Sequence, residues 1–164
     1  MSIHDHRLAE LRRRWATLPA PRLDDLTGVF EASYVGAPLR AVAPRGLGLI
    51  GLPRWFGKRF EPSPGDPGTL SGINLLRTDA ATLRPTLPMS ARIAPSLADG
   101  DPALVVSYPA DAPRPWRWVR DEFRPWDDTT LLGMTFVEVP GLRRLPGTPF
   151  VLQRADEQPV VSAD

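Results

Sequence analysis

The chain has 164 residues, which is enough for one domain with a sizeable hydrophobic core. Its net charge of +1 gives no electrostatic reason to expect a nucleic acid or an anionic membrane as a partner. The absence of cysteine excludes disulfides, thiolate catalysis and cysteine metal sites. The charged N-terminus lacks the apolar segment of a signal peptide, and no apolar stretch is long enough to cross a bilayer. We therefore expect a cytoplasmic protein that does not insert into a membrane.

Residues 1–22 are predicted to form an N-terminal amphipathic helix and a linker. Within His4–Leu18, apolar residues recur at three- and four-residue spacing, as in Leu8, Leu11 and Trp15. Arginines fill much of the other side, and we interpret this basic face as solvated because the whole chain is nearly neutral. Pro19 begins a short segment that ends the helix.

Residues 23–154 are predicted to form one β domain. Strand-like runs cover residues 26–35, 58–60, 69–78, 103–108 and 148–154. Ala37–Gly57 is irregular and apolar, which indicates a short helix or a flap. Glu61–Gly68 is rich in proline and glycine and is predicted to be an exposed loop. Thr82–Ile93 is interrupted by Pro85 and Pro88, which favours one or two short strands at a sheet edge.

The clearest strand pair is formed by Trp116–Arg124 and Thr130–Glu138, which are joined by a short turn. About eight sequential antiparallel strands result, and closing them into a barrel buries one face and removes the exposed edges. We therefore predict an all-β protein, an antiparallel up-and-down β-barrel with a short N-terminal helix and an internal pocket. Residues 155–164 are predicted to form a flexible acidic tail.

Asp121 is the most informative carboxylate, because side chains alternate between the two faces of a strand. It lies between Val119 and Phe123 on one face. The other face carries charges at Arg120, Glu122 and Arg124. We interpret that charged face as solvated, although a one-residue change of register would exchange the two faces. A partly buried carboxylate needs a partner, so Asp121 is predicted to form an ion pair, to anchor a ligand's polar group, or to act as a general base.

The segment Trp55–Phe60 combines three aromatic residues with two cations. In a pocket mouth, the aromatic rings would hold an apolar ligand while Lys58 or Arg59 meets a carboxylate or phosphate. Asn74 and Tyr108 are further polar residues on apolar strands. The candidate ligand-binding residues are Trp55, Lys58, Arg59, Phe60, Asn74, Tyr108, Asp121 and Phe123.

Other motifs do not predict a cofactor, a metal site or a catalytic residue. Gly46–Gly51 matches the dinucleotide fingerprint literally, but Pro44 and Pro53 flank it and no second parallel strand follows. The two histidines, His4 and His6, lie near the N-terminus without an identifiable third ligand. We therefore expect no cofactor and no metal site.

Two segments resemble the GXWXG-type family of bacterial proteins of uncharacterised function. Trp55-Phe56-Gly57-Lys58-Arg59-Phe60 resembles the family's middle motif. Asp121-Glu122-Phe123-Arg124, with the acidic turn and the Leu132-Gly133 that follow, resembles its later motif. In the opening motif, Gly28-Val29-Phe30-Glu31-Ala32 has Phe in place of Trp and Ala in place of the second Gly, as in a divergent member. The resemblance implies a lipocalin-like or calycin-like barrel with an internal pocket, and it implies no established reaction.

These features favour the binding of an apolar or amphipathic small molecule, such as a fatty acid or another lipid, in a barrel pocket. One alternative is a scaffold without a ligand, in which the apolar segment Gly46–Pro53 docks another chain or a second copy as a homodimer. Another alternative is a small barrel enzyme, such as an isomerase, cyclase or hydrolase, that uses Asp121 with Tyr108 or an arginine. The sequence leaves open whether the protein is an enzyme.

Overall fold

The computed structural model describes residues 2–79, 81–156 and 160–161, and its main feature is a closed sheet. The strands are β1 (Gly28–Tyr34), β2 (Trp55–Ser63), β3 (Asp66–Arg77), β4 (Thr82–Pro95), β5 (Pro102–Ser107), β6 (Val119–Pro125), β7 (Thr130–Val137) and β8 (Thr148–Arg154). Each strand pairs antiparallel with the next, and β8 pairs with β1 to close the sheet. This arrangement confirms the predicted all-β, antiparallel up-and-down barrel.

Two helices accompany the barrel, α1 (Leu8–Trp15) and α2 (Ala37–Leu49). The predicted helix His4–Leu18 is shorter than expected, because a separate 3-10 turn, Ile3–Asp5, precedes α1 and the backbone at His6 and Arg7 is extended. Within the described part of the chain, no helix is long and apolar enough to span a membrane.

The outer side of the barrel carries a second apolar core beneath α1. Leu11 and Trp15 of α1 are fully buried against the outward-facing side chains of β7. Those β7 side chains are Leu132, Met134 and Phe136. They alternate with the inward-facing residues of the same strand, as the two-residue period of a strand requires. The N-terminal helix therefore covers one wall of the barrel.

Inside the barrel, aromatic rings fill the half that lies away from α2. Phe123 packs edge-on against Phe60 and Phe150, with ring centroids 6.4 and 5.3 Å apart. Leu26, from the 3-10 turn Leu23–Leu26, is buried in the same cluster. This half of the interior is packed with side chains. The other half, beneath α2, contains the cavity described below.

The region of Pro85 and Pro88 differs from the prediction of one or two short edge strands. It forms the single long strand β4. Pro85 and Pro88 are paired with β3, but the pairing with β5 starts only at Ser90. The prolines therefore lie where one side of the strand has no β5 neighbour, so their missing N–H groups break no ladder on that side. The register with β3 shifts between Ile73 and Asn74, where Leu87, whose φ is 55°, is an extra residue on β4.

The charged face of β6 is buried, so the prediction that it is solvated was wrong. Glu122 and Arg124 are 0% and 1% exposed. Glu122 accepts hydrogen bonds from Ser96, from the Leu97 N–H and from Arg120. These charges are buried because α1 and the turn after β4 cover this part of the outer wall.

Three further segments differ from their predicted limits. Trp116–Trp118 forms a 3-10 turn, so the strand begins only at Val119. The predicted loop Glu61–Gly68 is mostly strand, since β2 and β3 meet at a two-residue turn, Pro64-Gly65. In the predicted tail, Val160–Val161 forms a short strand, β9, parallel to the start of β4. Residues 157–159 and 162–164 of that tail lie outside the described residues.

Candidate functional site

A cavity of about 400 Å³ occupies the end of the barrel that α2 covers. This volume falls within the range of about 300–1,000 Å³ that is typical of small-molecule sites. Its wall is mostly apolar and includes Leu47, Leu52, Trp55, Trp116, Val119, Val137 and Phe150. Polar side chains are concentrated toward the interior end, next to the packed half of the barrel.

The local structure of β2 places Lys58 in the interior. A bulge between Trp55 and Gly57 shifts the register with β3, after which Lys58 and Phe60 both point inward. Glycine is required at 57, because a Cβ there would lie 1.9 Å from the carbonyl oxygen of Phe30. The Trp-x-Gly-Lys-x-Phe pattern therefore has a physical explanation. It allows β1 and β2 to approach closely and directs one cation and one aromatic ring into the barrel.

Lys58 reaches across the interior to Asp121 on β6, the strand on the opposite side of the barrel. Its Nζ lies 3.0 Å from Asp121 Oδ2, 2.9 Å from the Tyr108 hydroxyl and 3.2 Å from Asn74 Oδ1. Asn74 Oδ1 also accepts a hydrogen bond of 3.0 Å from Trp55 Nε1. We call Lys58, Asn74, Tyr108 and Asp121 the polar layer. It spans the barrel between the packed half and the cavity.

The polar layer is buried but electrostatically balanced. Burial alone would lower the pKa of Lys58, but Tyr108 and Asp121 outweigh it and raise the pKa above the ordinary lysine value. Burial raises the pKa of Tyr108, and the ammonium of Lys58 only partly opposes this. At neutral pH Lys58 is therefore an ammonium ion and Tyr108 a neutral phenol.

Asp121 has a second partner and a phenol nearby. Thr135 on β7 donates a 2.8 Å hydrogen bond to Asp121 Oδ1, so both carboxylate oxygens are engaged. Tyr34, at the end of β1, also lines the cavity. Burial raises the pKa of Tyr34, and the negative charge of Asp121 raises it further. Tyr34 is therefore a neutral hydrogen-bond donor at physiological pH.

Helix α2 covers the cavity with one face. Leu39, Ala43 and Leu47 are spaced by four residues, and each is half-buried against the cavity. No side chain of α2 is fully buried. Trp116 Nε1 donates a 2.7 Å hydrogen bond to the carbonyl of Ile50, directly after the helix. This bond ties the end of α2 to the rim of the barrel.

The structure brings five of the eight predicted site residues together. Trp55, Lys58, Tyr108 and Asp121 line the cavity. Asn74 is fully buried and forms hydrogen bonds with Trp55, Lys58 and Tyr108. The other three lie elsewhere. Phe60 and Phe123 belong to the packed half of the interior. Arg59 points to the outside of the barrel and pairs with Glu61.

Sequence reasoning missed Tyr34, Thr135 and Trp116 as cavity residues. Tyr34 follows Phe30 and Ala32 at two-residue spacing on β1, so its inward orientation was available from the alternation. Thr135 follows in the same way from the pairing of β6 with β7. Trp116 gave no such signal, because it lies in a 3-10 turn, where strand alternation does not apply.

No family model matches the sequence, and no curated protein matches it. Among solved structures, the crystal structure of a protein from Thermomonospora curvata is similar, with a TM-score of 0.63. The match covers 92% of this chain and 88% of that chain, at 18% sequence identity. At this identity the likeness shows the barrel fold alone. Membership of the GXWXG-type family stays a prediction.

Proposed function

We propose that the protein binds a small, predominantly apolar molecule in the cavity beneath α2. The observation that carries this proposal is that side chains fill only one half of the barrel interior. The other half, on the far side of the polar layer, is a cavity of about 400 Å³ with mostly apolar walls. Cavities of this kind, with a few convergent polar groups, are typical of small-molecule sites. A fatty acid or another lipid-like molecule belongs to the proposed size and polarity class. We also propose a cytoplasmic location.

Helix α2 supports the proposal because it covers the mouth of the cavity without being packed into the barrel. Its cavity-facing residues are only half-buried, while Val42 and Leu49 on other faces are 66% and 89% exposed. Moving such a helix removes little apolar surface from a packed environment, so its energetic cost is small compared with opening the sheet. A ligand would enter between α2 and the rim of the barrel.

Tryptophan fluorescence tests the proposal, because Trp55 and Trp116 both line the cavity. We expect saturable changes in emission when medium-chain apolar compounds are titrated. Ala43→Phe, which places a ring in the cavity, should abolish saturation. Val42→Phe is the matched control on the same helix, because Val42 is exposed outside the cavity. Equal binding by both variants, or no saturable change across apolar compounds, would contradict cavity binding.

The two alternatives have less support from the contacts. For an enzyme that uses Asp121, both carboxylate oxygens are already engaged, by Lys58 and Thr135. For a scaffold or a homodimer, the exposed apolar residues of α2 offer a surface, but no contact indicates which partner would cover them. Binding in the cavity uses the apolar wall and the polar layer together, so it is the function that we favour.

A further inference from the structure

The cation in the cavity has no hydrogen-bonding capacity left for a ligand. A lysine ammonium has three N–H donors. Those of Lys58 are directed to Asp121, Tyr108 and Asn74, at 2.9 to 3.2 Å. A ligand carboxylate could bind Lys58 only by displacing one of these buried partners. Displacing Asp121 would leave a buried carboxylate without its counterion, which is strongly unfavourable.

The rest of the cavity wall provides no second cation. Among the described residues that line the cavity, Lys58 and Asp121 are the charged ones, and they neutralise each other. An anionic ligand would therefore bring an unpaired negative charge close to Asp121 in an apolar environment. Burying a charge without a partner is costly, and a like charge nearby adds to that cost. The cavity thus disfavours an ionised ligand.

Tyr34 is a further polar residue of the cavity wall. In the part of the chain that the structure describes, its hydroxyl makes no hydrogen bond, although its ring packs 6.3 Å from that of Trp55. Its raised pKa keeps the phenol protonated, so the hydroxyl remains a donor at neutral pH. A donor in an apolar cavity is best satisfied by an acceptor on the ligand.

We infer that the ligand is an uncharged, predominantly apolar molecule with one carbonyl-type oxygen, and that the Tyr34 hydroxyl donates a hydrogen bond to that oxygen. The inference rests on the proposed function and specifies the class of ligand. It excludes a fatty-acid carboxylate as the preferred ligand and favours ketones, aldehydes or esters of similar chain length. The hydrocarbon part then lies along the apolar wall beneath α2.

Three compounds of equal chain length test the charge argument, namely methyl heptyl ketone, nonanoate and nonane. Their dissociation constants are measured by tryptophan fluorescence or calorimetry at neutral pH. We expect nonanoate to bind more weakly than the ketone, and nonane serves as the reference for a ligand that contacts the apolar wall alone. Tighter binding of nonanoate would overturn this inference but leave the proposed function standing. Absence of saturable binding by all three compounds would contradict both.

The variant Tyr34→Phe tests the hydrogen bond. It should weaken ketone binding roughly 3- to 10-fold, the value of one neutral hydrogen bond, and leave nonane binding unchanged. Thr148→Val is the matched control, since it removes a hydroxyl that lines the exposed mouth of the cavity. An equal loss for the ketone and nonane would show that Tyr34 only shapes the wall, and would overturn its role as a donor.

A second measurement covers the case in which the Tyr34 variant does not fold. The carbonyl stretch of the bound ketone is recorded by infrared spectroscopy in the unmodified protein. A hydrogen bond from the phenol shifts this band to lower frequency than in an alkane solvent. A band at the alkane-solvent position would overturn the inferred hydrogen bond without affecting the evidence for binding.

Discussion

Lys58 and Arg59 are neighbouring cations on β2 that point to opposite sides of the barrel wall. Lys58 is 1% exposed and pairs with the buried Asp121. Arg59 pairs with Glu61 on the outer side, where the two side chains are 31% and 63% exposed. An exposed ion pair contributes little to stability, whereas removing one partner of a buried pair leaves a charge without compensation. The two positions therefore form a natural comparison.

We predict that Lys58→Met lowers the free energy of unfolding by about 3–5 kcal/mol. Arg59→Met should lower it by less than about 1 kcal/mol. Urea denaturation at neutral pH measures both values. The double variant Lys58→Met, Asp121→Leu should recover part of the loss, because it removes the buried charge that the single change leaves alone. Equal losses for the two single variants would show that the cross-barrel ion pair contributes no more than the surface pair.

Gly57 is the residue that allows β1 and β2 to approach closely enough to place Lys58. We predict that Gly57→Ala destabilises the protein by about 3 kcal/mol or more, because the added Cβ would meet the Phe30 carbonyl oxygen, which cannot move independently of the sheet. Gly68→Ala, also within a strand, is the control, since its Cβ would be 3.6 Å from the nearest atom. Equal melting temperatures for the two variants would argue against the close approach of β1 and β2 at Gly57.

At the scale of elements, most strands and their sequential antiparallel pairing were predictable, whereas the continuous strand β4 and the limits of several other strands were not. β1, β6, β7 and β8 follow from short apolar runs with two-residue alternation and turn residues between them. Helix α2 gave a weaker signal, because Pro44 and its glycines obscure the four-residue spacing of its cavity face. Its position over the barrel depends on tertiary contacts that no local pattern encodes.

The site shows the same limit. Lys58 and Asp121 were each predicted as polar groups near a pocket, but their pairing depends on the closure of eight strands, which brings β2 opposite β6. The burial of Glu122 and Arg124 was missed for a related reason. A strand pattern indicates which face is charged, but whether a helix covers that face is decided by distant parts of the chain.

The attachment of α2 to the rim through Trp116 can be tested by hydrogen exchange. Trp116→Phe keeps an aromatic ring beside Tyr108 but removes the N–H that bonds to the Ile50 carbonyl. We predict that amides of α2 exchange about fivefold faster, the effect of losing about 1 kcal/mol of local stability. Amides of β6 and β7 should not change.

Trp118→Phe is the matched control for this experiment, because Trp118 lies in the same 3-10 turn and its ring is contacted by Arg114 and Arg117. Exchange measured by mass spectrometry resolves α2 from the strands. If Trp116→Phe leaves α2 unchanged, or accelerates exchange in the whole barrel, then the bond to Ile50 does not hold the helix locally.

On the scale of the whole molecule, the barrel contains two buried charge clusters, one in its interior and one on the outer side of its wall. The polar layer spans the interior and limits the cavity to one half. Arg124 lies on the outer side and is almost fully buried. It donates to the carbonyl of Trp15, to both carboxylate oxygens of Asp99 and to the carbonyls of Pro102 and Asp101. Arg124 therefore joins α1, the turn after β4 and strand β6.

The Arg124–Asp99 pair predicts a defined dependence of stability on pH. The hydrogen bonds from the Arg124 guanidinium hold the pKa of Asp99 below its ordinary value. Because the folded-state pKa is the lower one, the pair stabilises the fold above the unfolded-state value of about 4, and this contribution is lost as the pH falls through the folded-state value. Asp99→Asn should therefore be less stable than the unmodified protein by about 1 kcal/mol at pH values of about 6. The difference should shrink once the pH is well below about 4.

Urea denaturation at these two pH values measures the difference, and Asp111→Asn, in an exposed loop, is the control for loss of one carboxylate. The control should show no measurable difference from the unmodified protein at either pH. A stability difference for Asp99→Asn that is constant with pH would mean that the carboxylate's charge is not what Arg124 recognises. The contacts of Arg124 with α1 and with the turn after β4 would then depend on the backbone carbonyl acceptors alone. Any loss of stability in acid would have to come from the titration of another group.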